Sequence, residues 1–420
     1  MHSHEPLEYK KHCHVSAEFI RTTFSGMRLY ADITWLHFCH NTSARAFQEH
    51  QDRRPLATSA QHMSHPIIDV AVVGTGLIGP RHAHSIVKSE QARLCCFVDP
   101  ASHAQAVADE FKVQLFRSIE EMLEKGMRPD AALVCTPNRT HVALSEQLLR
   151  SNIHVLVEKP ISTTIADGRK LIQTAASLSS QLLVGHHRRF NPYITATKRA
   201  LEEGVVGRPI ALSGIWALCK PQSYFEQPTE WRTKADGGGP ILINMIHEVD
   251  ILQYLFGSIS RVHAEKTLSQ RDYEAEEGAA ILLRFASGLV GTFVLSDSTP
   301  SPHSFESGTG ENPIIPQTGC DFYRIFGTEG TLSVGDMKLH RYPLGVEKGW
   351  SNHLEEISVT VGEEVPFDKQ IEHFVCVVRG LEAPRCSGLD GLRALVVCDA
   401  IKQALQKTDG VVDIQMDSNS

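Results

Sequence analysis

Two side chains of this 420-residue sequence, Lys159 and His247, are of types that could move a proton beside a bound ligand. Lys159 lies in Glu158-Lys159-Pro160, directly after an apolar run, so the pattern places it at the carboxyl end of a buried strand. Desolvation at such a position lowers the pKa of an ammonium group toward neutrality, which suits acid–base chemistry. His247 follows a triple-glycine turn and lies on a predicted helix. A surface lysine before a proline turn and a core histidine are the purely structural alternatives.

A glycine pattern further upstream predicts a dinucleotide site. Gly74, Gly76 and Gly79 form G-x-G-x-x-G directly after the apolar run at 67–73. In this pattern the first glycine permits a tight turn, the second lets a pyrophosphate approach the backbone, and the third lets helix and strand pack closely. The N–H groups of the following helix would then face the phosphates. The next predicted strand ends at Asp99, where an acid accepts hydrogen bonds from ribose hydroxyls and repels a 2′-phosphate, so NAD is favoured over NADP.

Polar residues also follow the predicted ends of later strands. The Thr-Pro-Asn segment at 136–138 and His141 come after the fourth strand, and ligands bind outside the carboxyl ends of parallel strands. The basic cluster at 186–192 fits either a site for a polyol or acid, or an inter-domain salt-bridge network. Asn244 and His247 would share one face near the start of a helix, which is suited to binding a substrate.

Strands and helices alternate from residue 67 to residue 186. Six short apolar segments are separated by helix-like segments, a pattern typical of a parallel sheet covered on both faces. The later chain is rich in predicted strands, with a long loop at 298–316 and two late helices. The predicted fold is therefore α/β, a Rossmann doubly wound parallel sheet followed by an α+β domain with a mostly antiparallel open sheet. The predicted domains are an extension at 1–63, an NAD-binding domain at 64–187, and a substrate-binding and oligomerisation domain at 188–420.

The amino-acid composition limits the classes of binding partner and the cellular compartment that we expect for this protein. Hydrophobic residues make up 42% of the chain and the formal net charge is −8, which argues against nucleic-acid and membrane partners. No apolar run reaches the roughly 18 residues that a membrane span needs. Ten cysteines occur without a C-x-x-C pair, so we expect reduced thiols in the cytoplasm and no metal site. Residues 1–62 lack periodicity and predict a disordered or loosely docked extension, with the His2/His4 and His12/His14 pairs as a metal-binding alternative.

Together these motifs resemble the Gfo/Idh/MocA oxidoreductases, which include glucose–fructose oxidoreductase and inositol dehydrogenase. The resemblance covers about residues 67–415. It rests on the glycine pattern, the segment 136–138, Glu158-Lys159-Pro160, and the segments 237–247 and 323–332. It implies hydride transfer between a nicotinamide and a secondary alcohol carbon of a sugar or cyclitol. One position departs from the family, because the acid expected four residues after the third glycine is Ile243 here. The family's Lys–Asp–His proton relay is therefore incomplete.

The resemblance implies an NAD(P)-dependent dehydrogenase or reductase of a polyhydroxylated ring, with Lys159 and His247 as catalytic residues and a homodimer or homotetramer built on the open sheet. The cofactor would be bound by Gly74, Thr75, Gly76, Leu77, Ile78, Gly79, Asp99, Thr136, Pro137, Asn138, His141, Glu158, Lys159 and Arg188. The substrate would be bound by Lys159, Arg188, Asn191, Trp231, Arg232, Asn244 and His247. Two alternatives stay open: a tailoring oxidoreductase of a specialised biosynthetic pathway, and a non-catalytic dinucleotide-binding regulator, which the missing acid favours.

Overall fold

The computed structural model describes residues 66–415, so the extension predicted at 1–63 lies outside the described residues. The first half of this range forms a six-stranded parallel sheet in the order β3-β2-β1-β4-β5-β6. Its strands are β1 (Ile68–Val73), β2 (Ala92–Val98), β3 (Gln114–Phe116), β4 (Ala131–Val134), β5 (His154–Val157) and β6 (Leu182–Val184). The connecting helices are α1 (Ile78–Lys88), α2 (Ala104–Phe111), α3 (Ile119–Glu124), α4 (His141–Arg150) and α5 (Ile165–Ala176). The order reverses between β1 and β4, and a ligand cleft is expected at such a point. The predicted doubly wound sheet is confirmed.

The second half forms a nine-stranded sheet in the order β14-β13-β12-β11-β7-β10-β9-β8-β15. Its strands are β7 (Pro209–Ala217), β8 (Ile259–Lys266), β9 (Gly278–Phe285), β10 (Val290–Ser296), β11 (Tyr323–Gly327), β12 (Gly330–Val334), β13 (Lys338–Arg341), β14 (Glu355–Ser358) and β15 (Val411–Asp413). Its helices are α6 (Pro192–Glu202), α7 (Ile246–Phe256), α8 (Phe305–Thr309), α9 (Pro366–Val378) and α10 (Gly388–Ala404). All neighbouring strands are antiparallel except β7 and β10, as predicted for a mostly antiparallel sheet.

One face of this second sheet carries the core and the other faces outward. Buried and exposed residues alternate along β9 and β10, so every second side chain points away from the core. The inward side chains pack with α7 and α10 in one large apolar cluster. Within residues 66–415, none of the helices is both long and apolar enough to cross a membrane.

Three local features escaped the sequence pattern. The short edge strands β14 and β15 were not predicted, because three or four residues are too few to display a period of two. The predicted loop at 298–316 contains the short helix α8. The helix expected after the glycine turn begins as one turn of π-helix at Ile241–Met245, which leads into α7.

Of the two late helices, α9 packs on the parallel sheet and α10 contacts both halves. Ile371, Phe374 and Val375 of α9 are buried in the same apolar cluster as Val70 and Leu133 of the parallel sheet. Helix α10 packs against α5 of the first half and against α7 and β8 of the second. The carboxyl ends of β4 and β5 are thereby held beside the start of α7.

We expect Phe374→Ala to lower the free energy of unfolding by about 3–5 kcal/mol, because it opens a cavity between α9 and the parallel sheet. Urea denaturation followed by circular dichroism measures the change. Lys369→Ala, at an exposed position of the same helix, serves as the control and should leave the urea midpoint nearly unchanged. Equal midpoints for Phe374→Ala and wild type would contradict the packing of α9 on the parallel sheet.

Candidate active site

A cleft of about 310 Å³ lies at the carboxyl ends of the parallel strands, where α7 approaches them. Its lining consists of Ile78, Thr136, Asn138, His141, Glu158, Lys159, His187 and His247. Seven of these eight residues were candidates in the sequence, and they come from segments as far apart as α1 and α7. The fold therefore brings the candidate acid–base pair and much of the candidate cofactor set into one space.

Glu158 lines the cleft and is fixed in place by a buried hydrogen-bonded pair with His82. The Nε2 atom of His82 lies 2.6 Å from Glu158 Oε1, and Oε2 accepts a hydrogen bond of 3.2 Å from the Lys159 main-chain N–H. Burial acts to raise the pKa of Glu158, but the contact with His82 and the nearby His187 and Lys159 outweigh it and lower the pKa to about 2. Glu158 is therefore a carboxylate at neutral pH.

Lys159 follows β5 and reaches across the cleft to the π-helical turn. Its Nζ donates a long hydrogen bond of 3.4 Å to the main-chain carbonyl oxygen of Ile243. Burial lowers the pKa of Lys159, and the charge of Glu158 opposes this shift. Turns of π-helix are rare and often occur at functional sites. Here the turn presents a backbone oxygen to Lys159 at the position where the side chain, an isoleucine, cannot accept a hydrogen bond.

His247 lies in the first turn of α7 and is almost fully buried. Burial lowers its pKa well below the usual value, and the cations Lys159 and Arg188 add to the shift. Its Nδ1 has no hydrogen-bond partner within residues 66–415. A neutral imidazole next to a lysine can accept a proton from a bound hydroxyl group.

Two further histidines shape the walls of the cleft. The rings of His187 and His247 are 5.6 Å apart between centroids and meet edge to face, and His187 stacks on Phe367 at 4.3 Å. His141 places one ring nitrogen 2.7 Å from the Pro160 carbonyl oxygen and the other 2.8 Å from that of Thr136. A neutral ring donates from only one nitrogen, so one of these two contacts is the hydrogen bond. His141 thus ties together the segments that follow β4 and β5.

The glycine turn fits a dinucleotide. A Cβ on Gly79 would lie 2.1 Å from the Gly74 carbonyl oxygen, whereas a Cβ on Gly76 would meet nothing within 4 Å. The close approach explains the third glycine, and the open space beside the second leaves room for a pyrophosphate. The first turn of α1 has no side-chain cap and no acidic residue, so its N–H groups remain available to phosphates.

Asp99 fits the ribose end of such a ligand. Its Oδ2 accepts hydrogen bonds of 2.7 Å from both the N–H and the hydroxyl of Thr75, and its Oδ1 accepts one of 2.8 Å from the Ala101 N–H. These bonds fix the carboxylate beside the glycine turn. Because a carboxylate has about four acceptor positions, Oδ1 can still bind a ribose hydroxyl.

Arg188 and Asn191 do not line the cleft, and both are buried with hydrogen-bond partners inside the protein. The Arg188 guanidinium donates to Glu248 at 2.7 Å, to Glu306 at 2.5 Å and to Glu311 at 2.9 Å. Asn191 caps α6 by accepting a hydrogen bond from the Tyr193 N–H. The alternative interpretation of the basic cluster, a salt-bridge network, describes Arg188. The loop at 298–316 supplies two of the three carboxylates, so this network anchors the loop.

The remaining predicted substrate contacts, Trp231, Arg232 and Asn244, do not line this cleft. Trp231 is 43% exposed, and Arg232 is half-buried with its guanidinium 3.8 Å from the centre of the Tyr224 ring. Asn244 accepts a hydrogen bond of 2.7 Å from Lys220. No sequence motif points to Lys220, or to His82 on the buried side of α1, since each is a single polar residue outside any recognisable pattern.

Comparisons with known proteins match both halves. The profile of an oxidoreductase family with an NAD-binding Rossmann fold matches residues 68–186, and that of its C-terminal alpha/beta domain matches residues 198–414. Inositol 2-dehydrogenase of Rhizobium meliloti is 25% identical, over 78% of this chain and 94% of its own length. The scyllo-inositol 2-dehydrogenase (NAD(+)) of Bacillus subtilis is also 25% identical, over 76% and 89%. Among solved structures, an oxidoreductase from Agrobacterium radiobacter in complex with NAD+, L-tartaric acid and magnesium has a TM-score of 0.69 at 18% identity, covering 82% of this chain and 98% of that one.

Glu158→Gln should make the stability of the fold depend less on pH in the acidic range. The folded-state pKa of Glu158, about 2, lies below its ordinary value of 4.5, so its charge stabilises the fold fully above pH 4.5. That contribution is lost as the pH falls from 4.5 toward 2. Urea midpoints measured from about pH 6 to about pH 3 should fall more steeply for wild type than for the variant. The exposed Glu90, replaced by Gln, is the control and should follow wild type. Parallel curves for Glu158→Gln and wild type would contradict the assignment.

Proposed function

The chain belongs to the Gfo/Idh/MocA oxidoreductase family, and from this premise we propose that it is an NAD-dependent dehydrogenase or reductase. The proposed substrate is a secondary alcohol or ketone of a sugar, cyclitol or related polyhydroxylated ring. Two proteins similar to this chain are inositol dehydrogenases, and inositol is such a cyclitol. One observation carries the proposal: Lys159, at the end of β5, and His247, at the start of α7, line the same cleft.

The proposed cofactor is NAD, held along the edge of the parallel sheet. The glycine turn at 74–79 would hold the pyrophosphate and Asp99 the adenosine ribose. Thr136, Asn138 and Lys159 would flank the nicotinamide, since they line the cleft at the carboxyl ends of β4 and β5. Bound NAD supplies the acceptor of the hydride, and the protein supplies position and electrostatics.

His247 and Lys159 would have different roles in proton transfer. In the oxidising direction, His247, which its lowered pKa keeps neutral, accepts the proton of the substrate hydroxyl. Lys159 donates a hydrogen bond to the same oxygen and stabilises negative charge that develops there. The Ile243 carbonyl oxygen orients the ammonium group, so that the family's missing carboxylate is replaced by backbone.

We further propose that the chain forms a homo-oligomer through the open face of its second sheet. Leu282, Val294 and Phe326 lie on that face and are 46%, 47% and 37% exposed. Large exposed apolar side chains that share a face favour protein contact. Eight free cysteines within residues 66–415 support a reducing compartment such as the cytoplasm.

Lys159→Met should lower turnover by about 100-fold or more while NAD still binds, because it keeps the apolar stem and removes the donor. Absorbance of reduced nicotinamide during a screen of polyols, with myo-inositol first, measures turnover, and calorimetry measures NAD binding. Lys170→Met, at an exposed position of α5, is the matched control and should behave as wild type. Unchanged turnover in Lys159→Met would remove the lysine from the mechanism. A wild-type protein that binds NAD but turns over no polyol or keto sugar would instead support the non-catalytic regulator.

Asp99→Ser should reduce the preference for NAD over NADP by about 10-fold or more, because it removes a negative charge that repels a 2′-phosphate. The measurement is the ratio of kcat/KM for the two cofactors at a fixed substrate concentration. Asp109→Ser, on the exposed side of α2, is the control for a general change in charge and should leave the ratio as in wild type. An unchanged ratio in Asp99→Ser would mean that other groups select the cofactor.

A further inference from the structure

Lys220 fixes the orientation of the Asn244 amide. Lys220 is only 8% exposed, and its Nζ lies 2.7 Å from Asn244 Oδ1 and 3.4 Å from Asp297 Oδ2. An ammonium group only donates, so the amide oxygen must face Lys220. The amide nitrogen of Asn244 consequently points the other way, and nothing within residues 66–415 accepts a hydrogen bond from it. Asn244 therefore presents two unused N–H donors.

These donors lie beside the proposed reaction site. Asn244 is partly exposed, and it directly follows Ile243, whose carbonyl oxygen contacts Lys159. It also precedes His247 by only three residues in the continuous helical segment formed by the π-helical turn and α7. A ligand ring held between Lys159 and His247 would reach Asn244 with its substituents.

Arg232 adds a cation to the same region. Its guanidinium lies 3.8 Å from the centre of the Tyr224 ring, and Lys220 Nζ lies 4.6 Å from the centre of that ring. Its one hydrogen bond goes to the Tyr224 carbonyl oxygen, and none of the described carboxylates pairs with it. Burial lowers the pKa of Lys220 to about 8, and Arg232 contributes to this shift, as two cations close together must.

The nearby carboxylates are already bound by other cations and donors. Asp297 pairs with Arg271 at 2.8 Å as well as with Lys220. Glu306 accepts hydrogen bonds from Arg188 and from the Trp216 indole N–H. Next to Asn244, the polar groups that stay free for a ligand are therefore the two N–H donors of its amide and the Arg232 guanidinium.

The Asn244 amide donors and the Arg232 cation are suited to a group that only accepts hydrogen bonds. A sugar hydroxyl donates as well as accepts, whereas a carboxylate or phosphate ester accepts at every oxygen and bears the opposite charge to Arg232. Resting on the oxidoreductase function proposed above, we infer that the substrate is a polyhydroxylated ring bearing an anionic substituent, which Asn244 and Arg232 bind. Lys220 is a positioning residue that orients the amide.

Matched sugars test this inference. The ratios of kcat/KM are measured for glucuronate against glucose and for glucose 6-phosphate against glucose, with NAD saturating. Wild type should favour at least one anionic sugar, and the two ratios distinguish a carboxylate from a phosphate. Asn244→Asp keeps the oxygen that faces Lys220 but replaces the two donors with a charged acceptor, so it should lower the favoured ratio by about 10- to 100-fold, as loss of a charged hydrogen bond predicts. Arg232→Gln should lower it similarly.

The matched control is Lys234→Gln, an exposed lysine two residues after Arg232 whose ratios should equal those of wild type. Thermal melting of the NAD complex with each sugar gives a second readout that needs no turnover. If wild type oxidises glucose or inositol without preferring either anion, the dehydrogenase proposal stands and this inference is overturned. If no sugar is oxidised but an anionic sugar raises the melting temperature in wild type and not in Asn244→Asp, the inference stands and the dehydrogenase proposal fails. If neither measurement responds to either anionic sugar, the inference is overturned.

Discussion

The buried guanidinium of Arg188 is the contact on which the arrangement of the second half depends. One cation there faces three carboxylates, brought by α7 and by the segment around α8. Burial raises the pKa of Glu248 to about 7, with Arg188 opposing and the other two carboxylates adding to the rise. Tyr323 donates a hydrogen bond to Glu248, so the Glu248 carboxyl group is held in place without a second cation. A buried ion pair of this kind fixes geometry more surely than it adds stability, because burying the charges costs nearly as much as their attraction returns.

That geometry reaches the cleft through neighbours in the chain. Glu248 directly follows His247, so the residue that binds Arg188 also sets where the imidazole lies. His187 directly precedes Arg188 and has its Nε2 3.2 Å from Glu311. One network therefore places His187 and His247, two of the three histidines that line the cleft. Burial lowers the pKa of His247, the charges of Lys159 and Arg188 add to the shift, and the imidazole is therefore neutral and can accept a proton.

The sequence was sufficient for most of the fold because each strand of the parallel sheet is buried on both faces and reads as a continuous apolar run. It was also sufficient for residues placed by a strand end, such as Lys159 and Asn138, since topology alone brings those ends together. It was not sufficient for Arg188, whose partners lie 60 to 123 positions away along the chain. From sequence alone, a basic residue at a domain junction is equally consistent with binding a ligand and with pairing with a carboxylate of the protein, because its neighbours in space are not known. The π-helical turn was also beyond reach, because its apolar pattern is that of an ordinary helix.

Ile243 shows why a missing side chain need not mean a missing contact. At the position where the family has a carboxylate, this chain offers a backbone carbonyl oxygen, 3.4 Å from Lys159. A carbonyl group accepts the hydrogen bond but bears no charge, so it does little to hold a proton on the lysine. Burial is then opposed chiefly by Glu158, and the pKa of Lys159 stays below its ordinary value. The exchange of a carboxylate for backbone keeps the lysine in place and also removes a negative charge from the substrate side of the cleft. An anionic substrate would be repelled by that charge, so the departure from the family pattern and the free donors of Asn244 and Arg232 agree with each other.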